Sequence, residues 1–156
     1  MELLIVIVVI AILAAITIVS YNGLQTRAKN TAQKDAVTKF VKLFALYKGA
    51  NGSYPTETGC LGENNVDTTG DGIGDCNDNG TTQFNSALNT KLKAFGSIPN
   101  VVTDQIAGPD GTKRFGIWYE GIGLYYFVRG TTADCLHASG ANGASGPSVW
   151  CWEPLP

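Results

Sequence analysis

The chain has 156 residues and a formal net charge of −2, and its length allows one modest domain together with an anchor. The charge is unevenly spread: residues 1–50 hold six basic and two acidic side chains (+4), and residues 51–156 hold five basic and eleven acidic ones (−6). Binding to nucleic acid phosphates needs clustered Lys or Arg, so the acidic second part argues against direct nucleic-acid binding.

The chain begins with an almost uninterrupted apolar run over residues 3–19, in which Thr17 is the single polar residue. As a helix this run is about 25 Å long, slightly less than the roughly 30 Å hydrocarbon core of a membrane. A helix that is apolar on every side cannot be an ordinary amphipathic surface helix. The run therefore predicts a membrane helix, a buried bundle helix, or both at different times. A cleaved secretory signal is the alternative, but no basic segment precedes the run.

A carboxylate, Glu2, stands at the head of this run. Burying an unpaired charge among apolar groups is costly, so Glu2 needs a cationic partner. The first basic residue is Arg27, about 37 Å further along a helix. We therefore expect the partner of Glu2 to come from another chain.

Glu2 and the run that ends in Ala14-Ala15-Ile16 resemble the N-terminal segment of type IV pilins and pseudopilins. The resemblance covers roughly the first 25 residues. It implies an α+β pilin fold, in which a long N-terminal helix packs against a small antiparallel β-sheet head. The first half of that helix is transmembrane or forms the filament core. The resemblance further implies that Glu2 pairs with the N-terminal amine of a neighbouring subunit.

The same resemblance sets the expected function, partners and location. It implies a structural subunit of a type IV pilus or related filament, with roles such as cell adhesion or motility. Its partners would be other copies of itself, the inner (cytoplasmic) membrane before assembly, a leader peptidase and the pilus assembly machinery. The assembled filament would lie at the cell surface. The alternatives are a pseudopilin of a type II secretion or DNA-uptake machine, and a non-polymerising, single-pass membrane-anchored binding module.

Two features of this sequence depart from the family. The basic leader and cleavage glycine of the family do not precede Glu2, because Met1 stands directly before it. We therefore expect that Met1 is not the native mature start. The helix-kinking proline that the family often carries after the apolar run is also missing, and Asn22-Gly23 is the weak point instead.

From residue 20 the apolar residues recur every three or four positions, as in an amphipathic helix. The sequence predicts one helix from about Leu3 to Tyr47, with Gly49, Asn51 and Gly52 as stop signals. We divide the chain into a helical part, residues 1–50, and a globular head, residues 51–156. Residues 1–19 are the membrane or filament-core part of the helix, and residues 20–50 are its amphipathic part.

The loop predicted over residues 54–83 contains the spacing of an EF-hand-type calcium loop. Gly72 would make the sharp turn at position six, and the expected calcium ligands are Asp67, Thr69, Asp71, Ile73 (through its carbonyl), Asp75 and Asp78. The stretch resembles dockerin and thrombospondin type 3 calcium repeats. It departs from the EF-hand pattern at Thr69 and at Asp78, where Glu is usual. The alternative is a polar loop without metal, because Asp and Gly are common in turns.

The four cysteines form two pairs with equal spacing, Cys60/Cys76 and Cys135/Cys151. An even number with local spacing indicates disulfides in an oxidising compartment. Three connectivities exist, and we expect the local one. Zinc binding is the alternative, but the sequence has no Cys-x-x-Cys motif and one histidine, His137.

The sequence of the rest of the head predicts a small β-sheet. A short helix is expected from Phe84 to Phe95, and strands at Arg114–Tyr119 and Leu124–Arg129 form a hairpin. A third strand over Thr131–Leu136 would complete a sheet spanning about residues 114–136. Residues 135–151 form a small-residue loop closed by the second disulfide, and Trp150 and Trp152 are expected to anchor the tail.

No residues form a recognisable catalytic group. His137 has no evident Ser or Cys nucleophile beside it if the cysteines are bridged. The glycine-rich stretches around Gly72 and Gly121 lack the strand–loop–helix context of a phosphate site. We therefore expect a structural protein and not an enzyme.

Overall fold

The computed structural model describes residues 2–65, 67, 70, 72–76, 82–104, 106–107, 113–137, 141–145 and 148–156. Side chains are described within these ranges except at positions 2–3, 19–20, 107, 141–145 and 148. One long N-terminal helix packs against a small antiparallel sheet, so the α+β fold class expected from the sequence is confirmed. This arrangement is compatible with a pilin-like architecture.

Helix α1 spans Glu2–Asn51, which is 50 residues in one continuous element. It continues four residues beyond the predicted end at Tyr47 and passes through Gly49, although Gly lowers helix stability by about 1 kcal/mol. The helix ends where Gly52 takes a left-handed conformation (φ 78°), which a residue without Cβ adopts readily. The Gly52 amide then donates to the Lys48 carbonyl at 2.8 Å, and the Asn51 side chain donates to the Tyr47 carbonyl at 2.9 Å.

The head contains a five-stranded antiparallel sheet, whose strands are β1 (Gly59–Leu61), β4 (Ile117–Tyr119), β5 (Gly123–Arg129), β6 (Ala141–Ser145) and β7 (Ser148–Pro154). The order of the strands in the sheet is β1-β4-β5-β7-β6. A separate two-stranded ribbon pairs β2 (Ile106–Ala107) with β3 (Lys113–Arg114). A short helix, α2 (Ser86–Lys93), lies between β1 and β2 in the chain.

The core lies between the second half of α1 and the inner face of the sheet. Helix residues Val37, Phe40 and Phe44 are fully buried, as the apolar stripe predicts. Alternate residues of the strands face them, and all are buried: Leu61, Ile117, Tyr119, Leu124, Tyr126, Val128, Val149 and Cys151. Each large apolar side chain buried in this way contributes about 1.5–3 kcal/mol, so the head and the second half of α1 form one packed unit.

The predicted hairpin is present, with its first strand shortened. Tyr119 pairs with Leu124 and Ile117 with Tyr126, in the register that places the predicted inner residues on one face. The predicted strand from Arg114 is interrupted at Gly116, which has a φ of 71° that breaks the extended chain. Residues Lys113–Arg114 consequently belong to the separate ribbon with β2.

The structure of the head differs from the sequence prediction in two further places. Helix α2 begins two residues later than the predicted Phe84, because the Asn85 side chain caps it by accepting a 3.0 Å hydrogen bond from the Leu88 amide. The third strand predicted over Thr131–Leu136 is wrong, since Thr132–Asp134 form a 3-10 turn. The Asp134 carboxylate stabilises that turn by accepting from the Thr131 amide at 2.8 Å.

The C-terminal segment is the largest difference from the sequence prediction. The expected tail is strand β7, which lies between β5 and β6 and pairs with β5 over seven residue pairs. Part of the expected small-residue loop is strand β6, which pairs with β7 across a register shift. The sheet therefore extends from residue 59 to residue 154 and not only from 114 to 136.

Candidate functional site

The first half of α1 is an exposed apolar surface. From Leu4 to Ile18 its large hydrophobic side chains are between 47% and 67% exposed, with Ile5 the most exposed and Val8 the least. Tyr21 and Leu24 continue the exposed stretch at 65% and 67%. No described residue of this segment is buried by the head. The helix therefore carries two different surfaces, one covered by its own head and one left open.

The open segment is long and apolar enough to cross a membrane. Within the described residues, one helix passes this test, with a mean hydropathy of 3.0 over an 18-residue window. The one polar residue of the run, Thr17, has its hydroxyl group hydrogen-bonded within the helix, since it donates to the Ala14 carbonyl at 2.8 Å. Glu2 is the first residue of the helix, and its side chain lies outside the described atoms.

The predicted calcium loop is closed at its base by the Cys60–Cys76 disulfide, whose Cα atoms are 5.8 Å apart. Both cysteines are fully buried. Cys60 belongs to β1, and the Cys76 carbonyl accepts from the Phe115 amide at 3.1 Å. The loop between them is therefore attached to the sheet at both of its ends.

Three of the six predicted calcium ligands lie in the described residues. The Asp67 carboxylate accepts hydrogen bonds from the amides of Gly70 (2.6 Å) and Gly72 (2.8 Å), which folds the loop back on itself. Ile73 is 42% exposed, and Asp75 is fully buried and forms a β-bridge with Gln83. Gly72 has the positive φ, 84°, that the predicted sharp turn requires.

The other three predicted ligands, Thr69, Asp71 and Asp78, lie outside the described residues. Among the described residues, no group of three or more His, Cys, Asp or Glu side chains is placed as a metal site. Half of the predicted donors fall outside that part of the chain, so calcium binding stays a prediction.

The second disulfide joins Cys135 to Cys151, with their Cα atoms 5.7 Å apart. Both bonds thus join the local pairs favoured by the sequence spacing, and the described chain has no free cysteine. His137 follows Cys135 by two residues, and Glu153 follows Cys151 by two residues. The Nδ1 atom of the His137 ring lies 2.8 Å from the Glu153 carboxylate. This contact places His137 beside an acidic group and makes it part of the connection between the 3-10 turn and β7.

The sequence prediction missed two amides that connect α1 to the head. Asn30 and Gln33 lie on the buried side of α1, 7% and 2% exposed. Both make pairs of hydrogen bonds to backbone groups far away in the chain. The available signal was their position, because Asn30, Gln33 and Val37 are spaced by three and four residues along the apolar stripe.

An aromatic layer on the outer face of the sheet was also missed. Trp118 stacks on Tyr125 with ring centroids 4.9 Å apart, and it lies 5.7 Å from Trp150. Phe127 lies beside the same ring at 5.5 Å. These residues alternate with the inner-face residues along their strands, so the strand periodicity itself places them on the opposite face. Their apolar character alone would have placed all of these rings in the core.

No protein-family model, no curated protein and no solved structure matches this chain. The class of the molecule is therefore defined by its own features: an α+β head on a long helix whose first half is apolar and uncovered.

Proposed function

We propose that the chain is a pilin-type structural subunit of a type IV pilus or related filament. Before assembly, the first half of α1 holds it in the inner membrane as a single-pass protein. During assembly, the same segment packs against other copies of the chain, and the heads form the outer surface of the filament at the cell surface. The observation that carries this proposal is the contrast between the two halves of α1.

The uncovered first half of α1 needs a non-aqueous environment. Burial of each of its large apolar side chains would contribute about 1.5–3 kcal/mol, and the head covers none of those that the structure describes. Lipid or copies of the same helix would supply that burial. Between lipid-embedded helices, close approach depends on small residues, and Ala11, Ala14 and Ala15 lie within the run.

Glu2 has the assembly role in this proposal. A carboxylate at the start of an apolar helix is costly to place in lipid or in a helix bundle unless a cation meets it. The pilin-like N-terminal sequence supports the N-terminal amine of a neighbouring subunit as that cation. This pairing would set the axial position of one helix relative to the next.

The test replaces Glu2 by Ala in the full chain, expressed together with a pilus assembly machinery. Membrane flotation and electron microscopy of the cell surface are measured. We expect membrane insertion to persist and filaments to disappear, because the substitution removes only the charge that aligns subunits. The matched control is Asp35→Ala, which removes the other acidic residue of α1 at an exposed position.

Two outcomes would contradict the proposal. Filaments that form equally well from Glu2→Ala protein would remove the assembly role of Glu2. A wild-type chain that inserts in the membrane and forms no polymer would indicate an anchored binding module instead. Filament length distinguishes a pilin from a pseudopilin, because a pilin would form long assemblies and a pseudopilin short ones.

We further propose that the loop closed by Cys60–Cys76 binds calcium and thereby stiffens the head. The support is the spacing of oxygen donors, the turn at Gly72 and the attachment of both loop ends to the sheet. A ligand that binds only the native state raises its apparent stability by mass action. We expect the thermal midpoint of the full chain to rise in calcium and to fall in chelator.

The calcium test uses Asp78→Asn as the site variant and Asp35→Asn as the control. The calcium-dependent part of the midpoint shift should disappear in the first variant and persist in the second. A thermal midpoint that is the same in calcium and in chelator would contradict calcium binding by this loop.

A further inference from the structure

A polar cleft of about 390 Å³ lies on the head, next to the outer aromatic layer. Three segments form it: the first residue of β1 with the residue before it (58–59), the segment 82–85, and the end of β4 with the residue after it (118–120). No described residue of α1 lines this cleft. We refer to it as the Trp118 cleft.

The walls of the Trp118 cleft are held by hydrogen bonds to the backbone. The Cys60 amide donates to the Gln83 carbonyl at 2.8 Å, and the Asn85 side chain donates to the Thr58 carbonyl at 2.9 Å. Gly59 allows this close approach, because a Cβ there would lie 2.8 Å from the Gln83 carbonyl oxygen. The cleft is thus formed before any ligand arrives, which lowers the cost of binding.

The side chains that line it are mostly neutral hydrogen-bonding groups. The lining residues include Thr58 and Thr82, which carry hydroxyls, together with Glu120, which carries a carboxylate, and Trp118, which carries an indole. Asn85 is already committed, since its amide donates to Thr58 and its oxygen caps α2. The two hydroxyls and the Glu120 carboxylate give a ligand both hydrogen-bond donors and hydrogen-bond acceptors.

This chemistry selects among ligand classes. None of the described lining residues is basic, so an anionic ligand has no counter-charge. A purely apolar ligand would leave the hydroxyls and the carboxylate desolvated and unpaired, which is unfavourable. A cation would use Glu120 and Trp118, which fits cation–π binding, but it would make no use of the two threonine hydroxyls as donors.

We propose that the Trp118 cleft binds a neutral saccharide of one or two rings. A sugar presents hydroxyl groups, which donate to Glu120 and exchange hydrogen bonds with Thr58 and Thr82. Its C–H faces pack against the indole of Trp118. The cleft volume falls in the range of about 300–1,000 Å³ that is usual for small-ligand sites.

The experiment uses the full chain in micelles of a polyoxyethylene detergent, which carries no sugar headgroup. The probes are glucose, galactose, mannose, N-acetylglucosamine, lactose and cellobiose, with choline as the cationic comparison. Saturation-transfer NMR identifies binding, and tryptophan fluorescence titration measures the dissociation constant. We expect at least one of the saccharides to bind saturably and choline to bind more weakly or not at all.

Two variants locate the site. Glu120→Ala should weaken saccharide binding by about tenfold or more, and Thr82→Val by about three- to tenfold, in line with charged and neutral hydrogen bonds. The controls are Asp35→Ala and Thr31→Val on exposed positions of α1, and both should leave the dissociation constant unchanged. Far-ultraviolet circular dichroism confirms that each variant is folded.

Three results would overturn the proposal. In the first, no saccharide of the panel gives a saturable signal. In the second, saccharide binding is unaffected by both cleft variants, which would place it elsewhere on the chain. In the third, choline binds and the saccharides do not, which would assign the cleft to a cationic ligand.

Discussion

Asn30 and Gln33 show how single side chains hold the helix to the head. The Asn30 amide donates to the Arg129 carbonyl at 2.7 Å and accepts from the Arg129 amide at 3.0 Å. Gln33 donates to the Gly116 carbonyl at 2.6 Å and accepts from the Val102 amide at 2.9 Å. Each side chain therefore satisfies two backbone groups that would otherwise be left without partners on the surface facing α1.

The first prediction concerns Gln33→Leu. The substitution keeps the approximate size of the side chain but leaves the Gly116 carbonyl and the Val102 amide without a partner beneath the helix. Because an orphaned buried polar group costs about 1–3 kcal/mol, we expect the free energy of unfolding to fall by about 2–4 kcal/mol. Urea denaturation followed by tryptophan fluorescence measures it.

The matched control is Gln25→Leu, at an exposed position of the same helix. It should change the free energy of unfolding by no more than about 0.5 kcal/mol, as surface substitutions usually do. Equal effects of the two variants would mean that the Gln33 hydrogen bonds contribute nothing specific.

A second connection between α1 and the head is ionic. The Asp104 carboxylate lies 3.0 Å from the Lys29 ammonium and 2.6 Å from the Arg129 guanidinium. Partial burial disfavours the charge on Asp104, but the hydrogen bonds from Lys29 and Arg129 outweigh it and hold the pKa of Asp104 below its usual value. The carboxylate therefore stays charged in the folded protein under moderately acidic conditions.

The second prediction is the pH dependence of this connection. A pKa lowered by folding contributes stability above the unfolded value, about 3.9 for Asp, and that stability disappears as the pH falls through the lower, folded value. Wild type should therefore be more stable than Asp104→Asn at pH 7, and the difference should shrink below about pH 4. Urea midpoints of both proteins between pH 7 and pH 3 measure it.

Asp35→Asn serves as the control, since Asp35 lies at a solvent-accessible position of α1 away from this ionic connection. Its difference from wild type should stay small over the same pH range. A difference between wild type and Asp104→Asn that grows towards acid pH would contradict the assignment.

At the scale of elements, the two disulfides connect separate segments of the head. Cys60–Cys76 joins β1 to the segment that contacts Phe115, and Cys135–Cys151 joins the end of the 3-10 turn to the middle of β7. Both have the same sequence separation, 16 residues. In the chain-entropy description, they should restrict the unfolded chain equally.

The third prediction is based on this equality. Replacing Cys60 and Cys76 together by Ala, or Cys135 and Cys151 together by Ala, should each lower the free energy of unfolding by about 3 kcal/mol. The measurement is made in chelator so that calcium does not add to the first pair. A loss below about 1 kcal/mol for either pair would show that the entropic account does not apply to it.

The elements that the sequence predicted are those with a local pattern. Helix α1, helix α2 and the β4–β5 hairpin each show their periodicity within one short stretch. Strands β1, β6 and β7 do not. Strand β1 is only three residues long, and β6 consists of small residues. Strand β7 contains Pro154, and its neighbour in the chain is the small-residue strand β6, which has no strand pattern of its own. Their pairing partners determine them.

At the scale of the whole molecule, α1 belongs to two environments. Its second half is part of the core of the head, and the described side chains of its first half are exposed. Changes in the first half should therefore affect membrane binding without affecting the fold of the head. The fourth prediction uses this separation.

Ile10→Asp places a charge near the middle of the apolar run. A charged residue at the centre of a membrane helix costs about 2.5–3.5 kcal/mol on insertion, so the fraction of protein that floats with lipid vesicles should fall. The thermal midpoint of the head, followed by near-ultraviolet circular dichroism in detergent, should stay the same. The matched control is Leu24→Asp, at an exposed position beyond the run, and it should leave flotation unchanged.

A lower thermal midpoint in Ile10→Asp would mean that the first half of α1 supports the head. Unchanged flotation would mean that the run does not anchor the chain. Either result would contradict the separation of the anchor from the fold that it carries.

The sequence by itself determined the long helix, the local cysteine pairs and the central hairpin. Each depends on residues close together in the chain, where spacing alone decides which side chains share a face. Only the tertiary structure decided the rest. The place of β7 within the sheet, the hydrogen bonds of Asn30 and Gln33 and the Trp118 cleft all join segments that are far apart in sequence. Their geometry depends on how the whole chain packs, and no local pattern contains it.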